Sequence, residues 1–242
     1  MSQIPNSPSK LQAMLLNETK PEYSWFRRIS SQFIPDKDFD KLEKASVKLN
    51  FKKGETILKQ GGIPNHIAYL EKGIVKFNYE SETGKNLILT IVSAPKILGG
   101  ANLFYKDNNL FSLIAVEDCE VIMIDSKVIE DVLKDNSKFA MMMFQVASEM
   151  FKKSVMNFIS LAHKQKEGRI ADIILYLVDE VYHSNSFLLT LTRKEIAEFA
   201  GCSTENVIMT LSKWQNEKIV SLEGKTIVIK EIDKLKHISK IG

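Results

Sequence analysis

The sequence predicts an α+β fold in which an N-terminal antiparallel β-roll, jelly-roll-like in character, precedes a long dimerisation helix and a C-terminal winged helix-turn-helix. Three observations predict it. Apolar residues follow a period of two between Val47 and Asp125, in short runs separated by turn residues. The period lengthens to three and four from about Asn136 to Lys164. Between Leu191 and Val220 two short amphipathic segments flank a Gly201-Cys202 corner, and a β-branched hairpin follows.

Met1 to Lys20 is polar, with Pro5 and Pro8. Pro21 to Phe33 reads as a helix carrying Trp25, Phe26 and Ile29 on one side. Pro35-Asp36 opens another, with Phe39, Leu42 and Ala45 at helical steps. Residues 1–46 are assigned as an N-terminal extension and helical cap.

The roll is assigned to residues 47–135. Its strands are read at Thr56 to Leu58, Ile67 to Leu70, Ile74 to Phe77, Leu87 to Val92, Ser112 to Val116 and Val121 to Ile124. Turns are supplied by Lys53-Gly54, Gly61-Gly62, Lys72-Gly73, Thr83-Gly84-Lys85, Gly99-Gly100 and Asp107-Asn108-Asn109. Many short strands at this spacing close into a sandwich, barrel or jelly roll, which often encloses a small pocket.

Helix returns at Ser126, and a helix over residues 136–164 would be about 43 Å long. Phe139, Met143, Val146, Met150, Phe158 and Leu161 mark a seam along it, with Ser154 in its gap. The chain holds no second helix of equal length to bury that seam, so a copy of itself is the expected partner. Glu167-Gly168 is read as a hinge, ending this unit at residue 167. Arg169 to Tyr182 then opens the unit 168–242.

In that last unit Ile196, Phe199 and Ala200 give one helix a buried stripe, and Val207, Ile208, Leu211 and Trp214 give a second helix another. Gly201 can take the left-handed conformation that ends the first helix. Ser203 is a good N-cap for the second, with Asn206 as a weaker version of the capping-box partner. Ser221 to Ile229 turns at Glu223-Gly224 and returns on a β-branched strand, which forms the wing. In such a motif the second helix enters the DNA major groove.

Composition narrows the function classes. The chain is 44% hydrophobic and 26% charged, as in a soluble globular protein. No apolar run approaches the ~18 residues of a membrane span, and Met1 to Lys20 lacks the pattern of a signal peptide. A cytoplasmic location without a membrane partner is expected. Net charge is only +3, and residues 168–242 hold ten Lys/Arg against ten Asp/Glu. DNA binding would therefore depend on where Arg193, Lys194, Lys213 and Lys225 point. Cys119 and Cys202 each lie in a hydrophobic element and are read as buried thiols, while a four-cysteine iron-sulfur set is excluded. His66, His163, His183 and His237 lack the spacing that places two imidazoles on one ion, so no metal site is assigned. No nucleophile–base pair, P-loop or carboxylate dyad stands out, and no catalytic residue is assigned. The rival readings are a cupin-like β-roll enzyme acting on a small molecule, or a haem-based gas sensor using His66, His163 or a methionine, with a C-terminal interaction domain.

In this order, the units resemble the Crp/Fnr transcription regulators from about Leu49 to Ile229. The resemblance is carried by Gly54-Glu55, Gln60-Gly61, Leu70-Glu71-Lys72-Gly73, Gly84-Lys85, Gly168-Arg169-Ile170-Ala171 and Thr192-Arg193-Lys194-Glu195-Ile196-Ala197. Gly201-Cys202-Ser203 followed by Glu205, and Gly224-Lys225-Thr226-Ile227-Val228, complete it. It implies a homodimeric, sequence-specific DNA-binding regulator with a palindromic operator and RNA polymerase as a partner. Thr204, Glu205 and Met209 stand where the family presents an Arg, a Glu and a second Arg to base edges. Ser203 and Asn206 border them, and Thr192, Arg193, Lys194 and Lys213 are assigned to phosphates.

Family members that bind cyclic nucleotides hold the ligand between a Gly-Glu-Leu and an Arg-Ser/Thr-Ala segment. Here the first reads Leu98-Gly99-Gly100-Ala101, with Gly100 for the Glu, and the second reads Phe111-Ser112-Leu113, with Phe111 for the Arg. Losing the charge-assisted phosphate contact removes about 2 to 3 kcal/mol, or about a hundredfold in affinity. Cyclic AMP is therefore not the expected effector, and no cofactor is assigned. Gly99, Gly100, Ala101, Phe111, Ser112 and Ser154 form the expected effector pocket, with the two hydroxyls offered to a different ligand.

Overall fold

A computed structural model describes residues 33–99 and 107–242. Gly100, Ala101 and the helix read from Pro21, up to residue 32, lie outside the described residues. Helix α1 (Asp36–Lys44) follows Pro35 and buries Phe39 and Leu42. Eight strands build the roll: β1 (Ser46–Phe51), β2 (Thr56–Leu58), β3 (His66–Lys72), β4 (Ile74–Glu80), β5 (Asn86–Ser93), β6 (Lys96–Leu98), β7 (Ser112–Ala115) and β8 (Cys119–Asp125). They form two antiparallel sheets, in the orders β1-β8-β3-β6 and β2-β7-β4-β5.

Ala68, Leu70, Val75, Phe77, Leu113 and Val121 fill the space between the sheets. Ile67, Tyr69 and Ile124 point the other way and pack under helices. Both faces of β3 are thus covered, which is why Ile67-Ala68-Tyr69-Leu70 is a continuous apolar run and not an alternating one. Strands β1 and β6 were not read from sequence. In β1 Val47, Leu49 and Phe51 alternate with polar residues and give no continuous apolar run, and β6 has only three residues.

Helix α2 (Ser126–Asp135) is capped by Asp125, whose carboxylate accepts from the N–H groups of Lys127 at 2.9 Å and Val128 at 3.2 Å. Helix α3 (Ser137–His163) is the long helix. The seam read along it is corrected by the packing. Phe139 is only 1% exposed and packs within its own chain, together with Met142, while Met143 and Val146 lean on the same cluster. Met150 packs on the core between the sheets. The side of α3 left bare carries Met141, Phe144, Phe151, Val155, Met156, Phe158 and Ile159. Of the six seam residues only Phe158 belongs to it. The helix is apolar on more than one face, and spacing alone does not say which face meets the roll.

The break read at Glu167-Gly168 falls earlier, at Lys164 and Gln165, which are extended. Helix α4 (Lys166–Tyr176) has already begun at Gly168. That glycine serves a close approach: a Cβ there would lie 2.7 Å from the backbone carbon of Gly242. A π-helical turn (Leu177–Tyr182) and β9 (Ser186–Leu188) lead to α5 (Arg193–Ala200), α6 (Thr204–Asn216), β10 (Val220–Glu223), β11 (Thr226–Ile229) and α7 (Ile232–Ile241). The wing strands pair in the order β10-β11-β9. Both cysteines are free; Cys119 is buried and Cys202 half-buried, and burial pushes the Cys119 thiol up to about 11. Among the described residues no helix is long and apolar enough to cross a membrane.

Candidate functional site

Helix α5 starts with a full capping box. Thr192 Oγ1 accepts from the Glu195 N–H at 3.1 Å, and Glu195 Oε2 accepts from the Thr192 N–H at 2.8 Å. The helix ends at Gly201 with φ 59°, the left-handed conformation that the sequence required of it. A Cβ on Gly201 would lie 2.8 Å from Leu161 Cδ2, so Leu161 packs at the corner between the two helices, not along an open seam. Ser203 caps α6 by accepting from the Asn206 N–H at 3.3 Å. The Asn206 side-chain amide also donates to Ser203 Oγ, at 2.9 Å, so the reciprocal bond goes to the hydroxyl.

Val207, Leu211 and Trp214 anchor α6 in the core. Ile208 does not join them; it is 49% exposed and stands on the outward side with Glu205, Met209 and Ser212. Lys213, assigned to phosphates, is exposed at the flank of that side. Its ammonium lies 3.0 Å from both carboxylate oxygens of Glu167, and the same carboxylate accepts from Trp214 Nε1 at 2.9 Å. Burial alone would raise the Glu167 pKa, but Lys213 and Trp214 outweigh it and hold the carboxyl below its ordinary value. Lys194 is exposed, 3.8 Å from Glu198, and Arg193 is half-buried.

The front edge of α5 abuts the roll. Lys76 Nζ on β4 donates to Glu195 Oε1 at 2.7 Å, and Lys53 Nζ donates to the Thr190 carbonyl at 2.7 Å. Ile74, Ile88, Ile91 and Val116 of the roll share one apolar cluster with α4, α5 and α6.

A cavity of about 960 Å³ lies between the roll and α3. Phe77, Leu89, Phe111, Met143, Val146 and Met150 line it, with Gly99, Thr90, Ser154 and Lys134, and Met141, Phe144 and Phe151 from the bare side of α3 also border it. Phe111, at the position where the resemblance expects an arginine, meets Phe77 with ring centroids 5.0 Å apart. Ser154 Oγ donates to the Met150 carbonyl at 3.0 Å, and Ser112 Oγ accepts from the Gln60 N–H at 2.9 Å. Both hydroxyls are engaged locally. Lys134, the cation in the described lining, is 3.1 Å from Asp131. Among the described residues no group of three or more His, Cys, Asp or Glu could hold a metal ion.

A roll of this topology joined to a winged helix-turn-helix defines a class of transcription regulators. Residues 48–136 match the cyclic nucleotide-binding domain family and residues 168–238 the Crp-like helix-turn-helix domain family. The chain is 29% identical over 178 residues to the cAMP-activated global transcriptional regulator CRP of Pasteurella multocida, a match covering 72% of this chain and 85% of that one. Its identity to the Salmonella typhimurium regulator of the same name is 27%, with the same coverage. The solved structure of FixK2 from Bradyrhizobium japonicum matches with a TM-score of 0.74 at 16% identity, over 80% of this chain and 96% of that one. A crp/fnr-family regulator from Eubacterium rectale gives 0.71 at 16%, over 86% and 95%. The chain belongs to the Crp/Fnr family of transcription regulators.

Proposed function

We propose that this regulator works as a cytoplasmic, non-enzymatic homodimer that reads a palindromic operator through α6 and answers to an effector other than cyclic AMP. One observation carries the DNA reading: α6 keeps Val207, Leu211 and Trp214 in the core and turns Glu205, Met209 and Ser212 outward. Glu205 can accept from a cytosine amino group. Arg193, Lys194 and the wing residue Lys225 supply phosphate contacts, and RNA polymerase is the expected protein partner.

Dimerisation is supported by the bare stripe on α3. Met141, Phe144, Phe151, Val155 and Phe158 follow heptad steps, and apolar stripes of this size are rare on soluble monomers. Two-fold pairing would set the half-site centres about 34 Å apart, one turn of DNA. Against cyclic AMP stands the apolar character of the described lining, with Phe111 at the position where the resemblance expects an arginine. A ligand suited to that lining is largely apolar.

Selection of bound duplexes from a random pool tests the reading. A palindrome with this half-site spacing, bound with an affinity that falls steeply with salt, is expected. No enrichment, or binding indifferent to salt, would overturn it. Calorimetry with cyclic AMP should give no heat at tens of micromolar, and a micromolar Kd would refute the effector assignment.

A further inference from the structure

Ile208 is 49% and Met209 70% exposed, while Val207, Leu211 and Trp214 of the same helix are at most 1% exposed. With about 100° between successive residues, Glu205, Ile208, Met209 and Ser212 fall on one side of α6, opposite those three. That side holds no lysine or arginine. Lys213 is at its flank and bonded to Glu167, and the Asn206 amide is tied to Ser203. The outward side therefore offers the Glu205 carboxylate, the Ser212 hydroxyl, the Asn216 amide at the last residue of the helix, and two bare apolar side chains, Ile208 and Met209. A guanine edge finds no cationic fork there. Hydrocarbon has one complement on the major-groove edge of DNA, the C5 methyl of thymine.

We propose that Ile208 and Met209 read thymine methyls, so that each half-site carries A·T pairs beside the base pair contacted by Glu205. This rests on α6 entering the major groove. Ile208 is the specificity residue that the sequence hides, because its spacing from Leu211 places it in the same apolar stripe. Thymine recognition suits an operator read without guanine contacts: each methyl buried against hydrocarbon contributes about a fourfold preference.

The test uses the selected operator with half-site thymines replaced one at a time by uracil, which lacks only the methyl. Full-length protein should bind the duplex about three- to fourfold more weakly at each methyl contacted. Ile208→Ala and Met209→Ala should bind the thymine duplex more weakly yet each be indifferent to uracil at its own position, with an unchanged salt slope. Both side chains are exposed, so these variants should retain the wild-type circular dichroism. Equal wild-type affinity for thymine and uracil duplexes overturns the proposal, as does an identical uracil penalty in wild type and both variants. A change of oligomeric state in Ile208→Ala without a change in the thymine-to-uracil ratio assigns the surface to a protein contact and also overturns it. If no duplex is retained by wild type under any condition, the entry of α6 into DNA fails first.

Discussion

Glu167 ties the start of α4 to the far half of α6 by accepting from both Lys213 and Trp214. The indole N–H belongs to a fully buried Trp214, so removing its acceptor costs about 1 to 3 kcal/mol. The Lys213 contact is half-exposed and is worth only tenths of a kcal/mol to about 1. Glu167→Ala should therefore destabilise the protein by about 1 to 3 kcal/mol in urea unfolding, and Lys213→Ala by clearly less. The Glu167 pKa is depressed in the folded state, so its contribution is complete above the ordinary glutamate value and fades as the pH falls through the folded one. Glu167→Gln should flatten the loss of stability on acidification. At this scale the capping residues Thr192 and Ser203 and the corner at Gly201 were legible, because each rule involves neighbours in sequence. The partner of Lys213 was not, since Glu167 is 46 residues away. Ile208 was misread because four apolar residues at helical steps do not declare which three the core has room for.

Helix α3 was legible in existence, length and place, and illegible in phase. Its apolar residues cover two faces: Phe139, Met142, Met143, Val146 and Met150 toward the roll, and Met141, Phe144, Phe151 and Val155 toward solvent. A periodicity argument picks one stripe, and the roll that decides between the two lies earlier in the chain. The faces make opposite predictions. Phe151→Glu should yield a folded monomer in light scattering, with little change in circular dichroism. Met150→Glu places a carboxylate against the roll core and should lower the melting temperature before it changes the mass. A wild type that is monomeric at micromolar concentration would contradict the pairing of α3 with its copy. The edge strand β1 alternates at Val47, Leu49 and Phe51, but its pairing with β8, about 70 residues on, is not written in that stretch.

In the whole molecule the order of units was legible, and their docking was not. Lys76 and Glu195 are 119 residues apart, and nothing local marks them as partners. Burial alone would raise the Glu195 pKa; Lys76 and Thr192 outweigh it and leave it lowered. Around that ion pair the roll and the DNA-binding unit share a continuous core, and Tyr176 crosses it to donate to the Ile91 carbonyl at 2.6 Å. Such a core should unfold as one unit. In a Trp25→Phe background, Trp214 fluorescence and far-ultraviolet circular dichroism should give coincident urea transitions; an earlier fluorescence transition would show that the DNA-binding unit opens independently. The most direct test of the whole account is the half-site preference of Glu205→Ala, selected beside wild type from one random pool. Discrimination should be lost at one base position in each half-site, at a cost of about 1 to 3 kcal/mol, with the flanking preference and the spacing kept. Recovery of the wild-type preference at every position would contradict it.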